Sequence, residues 1–179
     1  MKPHWEVLIK QLVQHLNKNN QLKIKYGLEI KMSCCAFNTD QMFVDLAKNP
    51  AAILKAMAPK GLTALYDAIV TNINYVEKAL FTLGNAIEIA VVFVILTDGY
   101  ENASTFFTAM EAREAILKLQ QQANWEFIFF GADLDVKEIN KVLEIPNFKY
   151  HNFDKNELNL AFEALDQIME QTLINMVKV

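Results

Sequence analysis

An apolar run that ends in a turn constrains the fold of this chain more than any other feature. Residues 91–96 read Val-Val-Phe-Val-Ile-Leu, and Thr97, Asp98 and Gly99 follow directly. A short β-branched run of this kind, bounded by a turn signal and followed by a helical pattern, is typical of a parallel strand buried on both faces. Asp98 is therefore expected at the carboxyl edge of a sheet, where open α/β folds bind their ligands.

Helical and strand patterns alternate along the rest of the chain. Helical spacing predicts a first helix over residues 3–17, which ends within 17–21, and a brief helix that starts at 49. It also predicts helices over 64–80, over 105–122, over about 135–143 and from about 156 onward. Strand patterns cover 28–37, 91–96, 125–130 and 149–153, and 41–46 can return as an antiparallel edge strand after a turn at 38–40. This alternation predicts a single α/β domain over 1–179, with a mostly parallel sheet and one short antiparallel edge strand.

The composition and motifs of the chain argue against several classes of function. The net charge is −4 and Arg113 is the only arginine, so no basic face indicates nucleic acid as a partner. No segment approaches the roughly 20 apolar residues of a membrane span. The only cysteines, Cys34 and Cys35, are adjacent and poorly placed for a disulfide, which favours free thiols in the cytoplasm. Phosphate-binding loops, nucleophile elbows and zinc-protease motifs are absent from the sequence, so we expect a non-enzymatic protein.

Three segments carry a family resemblance. They are Gly61-Leu62-Thr63-Ala64-Leu65, Thr97-Asp98-Gly99-Tyr100-Glu101-Asn102-Ala103-Ser104 and Trp125-Glu126-Phe127-Ile128-Phe129. In this order the chain resembles the von Willebrand factor A domain, and in particular its bacterial and phage cytoplasmic members. The resemblance covers nearly the whole chain and implies a three-layer, Rossmann-like sandwich.

The resemblance also implies a metal site, of which this chain has only a part. In the family, an Asp-x-Ser-x-Ser loop, a threonine and an aspartate hold a divalent ion that contacts an acidic residue of a partner. Thr63 matches the threonine and Asp98 the aspartate, but no segment matches the Asp-x-Ser-x-Ser loop. Because Mg²⁺ requires a nearly octahedral set of oxygen ligands, we expect this degenerate site to bind Mg²⁺ weakly or not at all.

The missing loop belongs to a strand that would precede Met1 and lie at the centre of the family's sheet. Either the reading frame starts internally or the lineage has lost the strand. We expect strand 28–37 to close the gap by pairing directly with 91–96. The alternatives are a strand from a second copy or from the tail 173–179.

The leading functional hypothesis is a protein-binding module with an unknown protein ligand. The expected contact surface is the carboxyl edge of the sheet, with these residues: Asn38, Asp40, Gly61, Thr63, Asp98, Glu101, Asn102 and Asp133. One alternative is a metal-dependent hydrolase or phosphotransferase that uses Asp98 with Glu101 or Asp133. Another is a self-associating structural protein that forms a homodimer through its strand edges.

Several of these residues also have a structural interpretation. Thr63 can be the N-cap of helix 64–80, and Glu101, Asn102 and Ser104 can cap the helix that follows them. Asp67 is expected to make a local or cross-loop hydrogen bond, and the two cysteines are expected to be inert.

Overall fold

The computed structural model describes residues 2–44, 61–84, 88–122, 124–134, 139, 143–145 and 149–177. Within these ranges the helices are α1 (Lys2–Tyr26), α2 (Leu65–Leu83), α3 (Ala109–Gln120) and α4 (Leu158–Val177), with a 3₁₀ turn at Lys155–Glu157. The strands are β1 (Cys34–Phe37), β2 (Gln41–Val44), β3 (Val91–Thr97), β4 (Trp125–Ala132) and β5 (Lys149–Phe153). The predicted α/β class is confirmed. In the described part of the chain, no helix is both long and apolar enough to cross a membrane.

The strands form two sheets. β3, β4 and β5 make a three-stranded parallel sheet in that order, with β4 in the middle. β3 and β4 are aligned residue by residue, from Val91 beside Trp125 to Thr97 beside Gly131. β1 and β2 form a separate antiparallel pair. The parallel alignment brings the carboxyl ends of β3 and β4 to the same edge.

The chain divides into two compact units. One contains α2, β3, α3, β4, most of β5 and the turn 37–41. Its core combines apolar side chains of α2 and α3 with one face of the sheet, including Ile69, Ile73, Ile116, Ile95 and Phe129. These positions follow the helical and alternating spacings that the sequence predicts. The expectation of a single domain over 1–179 stays a prediction.

The other unit contains α1 and α4. The two helices are joined by polar contacts as well as apolar ones: Asp166 pairs with both His15 and Lys18, and Lys25 Nζ lies 2.7 Å from Glu170 Oε1. His15 also meets Phe162 edge to face, with ring centroids 5.9 Å apart.

Two helix boundaries differ from the prediction. α1 does not end at 17–21 but continues to Tyr26, because the first residue that stops it is Gly27, at φ +67°. The Leu28 amide then donates to Lys23 O at 3.2 Å, the bond that closes a Schellman motif. α3 begins at Ala109 rather than 105, because Thr108 is extended, at φ −90° and ψ 166°, and forms a capping box with Glu111.

The predicted closure of the gap in the sheet is wrong. β1 covers only the last four residues of the predicted strand 28–37 and pairs with β2, while β3 pairs with β4 alone among the described strands. The tail does not supply a strand either, since α4 continues to Val177. Turn chemistry explains the pairing of β1, because the short turn at 38–40 brings β2 back beside it.

The remaining elements follow the prediction with shifts of a few residues. α2 ends three residues late, β4 includes Gly131 and Ala132, and β5 matches 149–153. The predicted helix from 49, most of the helix at 135–143 and residues 45–46 of the edge strand lie outside the described residues.

Candidate binding edge

The carboxyl edge consists of residues 38–40, 61–64, 98–108 and 133–134, which follow the strand ends or precede α2 and α3. The Thr-Asp-Gly turn begins it, with Thr97 Oγ1 donating to Gly99 O at 3.1 Å and accepting from Gly99 N at 3.2 Å. A Cβ atom placed on Gly99 would lie 2.5 Å from Thr63 Oγ1. Thr63 therefore packs directly against the residue after Asp98, and the two signature segments meet at one edge.

Backbone hydrogen bonds hold these loops together. Thr63 N donates to Asn102 Oδ1 at 2.8 Å, and Asn102 N donates to Thr63 O at 3.0 Å. The 38–40 turn joins the same assembly, because Ala64 N donates to Asn38 O at 2.8 Å. Asn38 Oδ1 in turn accepts from Asp40 N at 2.6 Å. Gly61 has φ +91°, which favours glycine, and it faces Thr39.

Glu101 is the centre of this hydrogen-bond network. Its Oε2 accepts from Leu65 N at 2.6 Å, Tyr66 N at 3.1 Å and Ser104 Oγ at 2.7 Å. Its Oε1 accepts from Ala103 N at 2.9 Å and Ser104 N at 2.7 Å. Burial raises the pKa of Glu101, but the bonds from Ser104, Tyr66 and Ala103 outweigh it and lower the pKa below its ordinary value. The carboxylate supplies an N-terminal cap for α2 from another loop.

Asp67 connects α2 in turn to the loop that carries Glu101. It lies in the first turn of α2, is buried, and accepts from the amides of Thr105 at 2.9 Å, Phe106 at 3.0 Å and Phe107 at 2.8 Å. The predicted cross-loop hydrogen bond of Asp67 is confirmed. Ser104 adds to the junction by accepting from Tyr66 N and Asp67 N, both at 3.1 Å.

The predicted capping roles are therefore partly wrong. The N-cap of α2 is Ala64 rather than Thr63, and the methyl group of Ala64 cannot accept a hydrogen bond. Glu101 and Ser104 cap the preceding helix α2 and not the following one. The following helix α3 has its own capping box, formed by Thr108 and Glu111. The Thr-x-x-Glu spacing at 108–111 is the sequence signal that would have placed that helix correctly.

Glu101, one of the two carboxylates considered as a metal ligand together with Asp98, is already engaged by hydrogen bonds. A carboxylate offers about four lone-pair positions, and Glu101 already accepts five hydrogen bonds. Glu101 therefore has no position left for a cation beside Asp98. Among the residues that the structure describes, no group of three or more His, Cys, Asp or Glu side chains is placed to hold a metal ion.

The outer surface of this edge is apolar and acidic. Four large apolar side chains are exposed on it or on the first turn of α3: Leu62 (54 %), Tyr100 (42 %), Phe106 (82 %) and Met110 (65 %). The described edge loops also carry Asp40, Asp98 and Asp133 but no lysine or arginine. Asp133 has φ 54°, so its backbone turns sharply after β4. Sequence reasoning identifies the acidic residues and misses the apolar ones.

A second polar cluster lies between α1 and α4, and no motif in the sequence indicates it. His15 is buried, its Nδ1 pairs with Asp166, and its Nε2 lies 2.9 Å from Asn19 Nδ2. Both ring nitrogens of His15 therefore have a partner inside the protein.

No protein-family model, curated protein or solved structure matches this chain.

Proposed function

We propose that this chain is a protein-binding module of von Willebrand factor A type that binds its partner through the carboxyl edge, without a metal ion. The fold proposal is supported by a parallel strand ending in Thr-Asp-Gly and by the contact between the 61–64 and 98–102 loops. The adjacent cysteines, which are not joined in a disulfide, support the accompanying proposal of a cytoplasmic location.

One observation carries the functional proposal: exposed apolar side chains belong to a loop whose backbone is held in place by hydrogen bonds. Phe106 is 82 % exposed, yet its amide is bonded to the buried carboxylate of Asp67. Tyr100 is exposed beside Glu101, whose carboxylate is held by five donors. A surface with fixed backbone loses little entropy when it binds, and aromatic side chains are the usual anchors of protein interfaces.

Charge defines the partner's chemistry. Because the described edge has three aspartates and no basic side chain, a segment with lysine or arginine around an apolar anchor complements it. A partner that presents an acidic residue would need a cation in between, and the saturated carboxylate of Glu101 leaves little support for one.

Peptide display tests the proposal and does not require the natural partner to be identified first. A library of random linear dodecapeptides would be selected against the folded chain in buffer with EDTA. We expect enriched peptides to combine basic residues with an aromatic or leucine residue, and to lose at least tenfold in affinity against Phe106→Ala. The matched control is Phe81→Ala, which removes a side chain that is 89 % exposed at the end of α2.

Two results would overturn the proposal. One is a set of peptides that bind the Phe106→Ala and Phe81→Ala variants equally well. The other is a set of acidic peptides whose binding requires added Mg²⁺ and disappears in Asp98→Asn.

A further inference from the structure

The outer strand of the parallel sheet is less buried than its sequence predicts. The run 91–96 is wholly apolar, but of its six residues only Ile95 is fully buried, and Val94 is 37 % exposed. On the adjacent β4, seven of the eight residues are buried, with Glu126 the exception. Val94 lies beside Ile128 and Leu96 beside Phe130, so exposure rises from the middle strand to the outer one on the same face.

Nothing in β3 protects its outer edge. In the described sheet, β3 hydrogen-bonds to β4 on one side and stands at the end of the strand order. Natural edge strands are usually short, or carry lysine, proline or a bulge that prevents further pairing. β3 has seven residues, keeps an uninterrupted register with β4 and contains no charged residue and no proline.

We infer that two copies of this chain associate by antiparallel pairing of β3 with β3, forming one continuous six-stranded sheet. A twofold axis at Val94 would place Val94 opposite Val94 of the second copy and Phe93 opposite Ile95. Val92 would meet Leu96, and Val91 would meet Thr97. All these cross-strand pairs are apolar or contain a single hydroxyl, so no like charges oppose each other.

The apolar, self-complementary sequence of β3 favours a second copy of the chain as the partner that pairs with this edge. Exposure is greatest at Val94, the midpoint of β3, and a twofold axis at that position pairs the strand over its full length. An antiparallel twofold pair uses both outer edges at once and therefore closes at two copies. The two carboxyl edges would then point in opposite directions, and the dimer would present two binding surfaces. This inference is independent of the proposed partner, because it involves a different surface.

Mass measurement gives the first test. Light scattering coupled to size exclusion should give twice 20.5 kDa for the wild-type chain. Val94→Lys would place two ammonium groups opposite each other at an already exposed position and should return the mass to 20.5 kDa. The matched control Phe81→Lys should stay dimeric. A wild-type monomer at a concentration on the order of 100 µM, or a Val94→Lys dimer, would overturn the inference, since an unprotected strand edge should pair at such concentrations.

Disulfide trapping tests the register and does not depend on the stability of the lysine variant. Residues directly opposite in an antiparallel pair have Cα atoms roughly 4.5–5.5 Å apart, within disulfide range. Val94→Cys should therefore cross-link on mild oxidation with diamide. Val92→Cys should not, because two copies of residue 92 would lie about 13 Å apart along the strands. Equal cross-linking of the two variants would contradict the proposed geometry.

Discussion

At the scale of single residues, the close approach of Thr63 to Gly99 explains why a glycine follows Asp98. The φ of Gly99 is not in the left-handed region, so its backbone conformation does not require glycine. Glycine is required because there is no space for a side chain. Any Cβ would meet Thr63 Oγ1 at 2.5 Å. Sequence alone does not separate function from packing here, since a Thr-Asp-Gly turn serves both.

Gly99→Ala should lower the free energy of unfolding by about 1–3 kcal/mol, the range for forcing a methyl group into a packed site. Thr63→Ala removes the obstructing oxygen and should cost little alone. Combined with Gly99→Ala, it should recover most of the loss, and chemical denaturation of all four proteins would measure this coupling. Strictly additive effects would show that the two side-chain positions do not compete for space.

Glu101 shows what sequence reasoning misses at this scale. The sequence predicts its place at the carboxyl edge but assigns its role to the following helix or to a metal. The donors that it satisfies belong to Leu65 and Tyr66, more than thirty positions earlier. A carboxylate that caps a helix from a distant loop has no local spacing by which to recognise it.

At the scale of elements, α2 and the 98–107 loop stabilise each other. Glu101 satisfies the first amides of α2, while Asp67 in α2 satisfies three amides of the loop. The type of each described element is predictable from periodicity. The boundaries are less predictable from periodicity, because the start of α3 is set by the capping box of Thr108 and Glu111 and not by the apolar spacing.

Asp67→Asn should destabilise the protein by about 1–3 kcal/mol, because at the buried Asp67 position an amide nitrogen would replace one of the oxygens that accept from three backbone amides. Hydrogen exchange should accelerate at Thr105, Phe106 and Phe107. Thr108→Ala provides the contrast, since loss of an N-cap costs about 1 kcal/mol and should loosen the first turn of α3 instead. Unchanged exchange at 105–107 in Asp67→Asn would refute the reciprocal connection.

At the scale of the whole molecule, groups with shifted pKa values set the acid and alkaline limits of the pH range in which the protein is most stable. On the acid side, burial and then the charge of Lys149 lower the pKa of His151, which stacks on Phe130 at 5.0 Å. The pKa of Glu101 is also lowered, because its hydrogen bonds outweigh its burial. On the alkaline side, burial raises the pKa of the Cys34 thiol to about 11 and that of Tyr150 to about 12. The raised pKa of Cys34 agrees with its expected inertness, because the thiolate is the reactive form.

These directions predict how unfolding should depend on pH. Below the ordinary histidine pKa of 6.5 the unfolded chain binds a proton at His151 before the folded chain does, so stability should fall as the pH drops. Below the ordinary glutamate pKa of 4.5, Glu101 should add a second loss. Above 9.0 the unfolded chain loses the Cys34 proton first, so stability should fall again. Urea midpoints measured from about pH 4 to about pH 10 should therefore form a plateau between about 6.5 and about 9, the ordinary pKa values of the groups that bound it. His151→Gln should extend that plateau toward acid and Cys34→Ala toward alkali, whereas midpoints that neither variant shifts would assign the bounds to other groups.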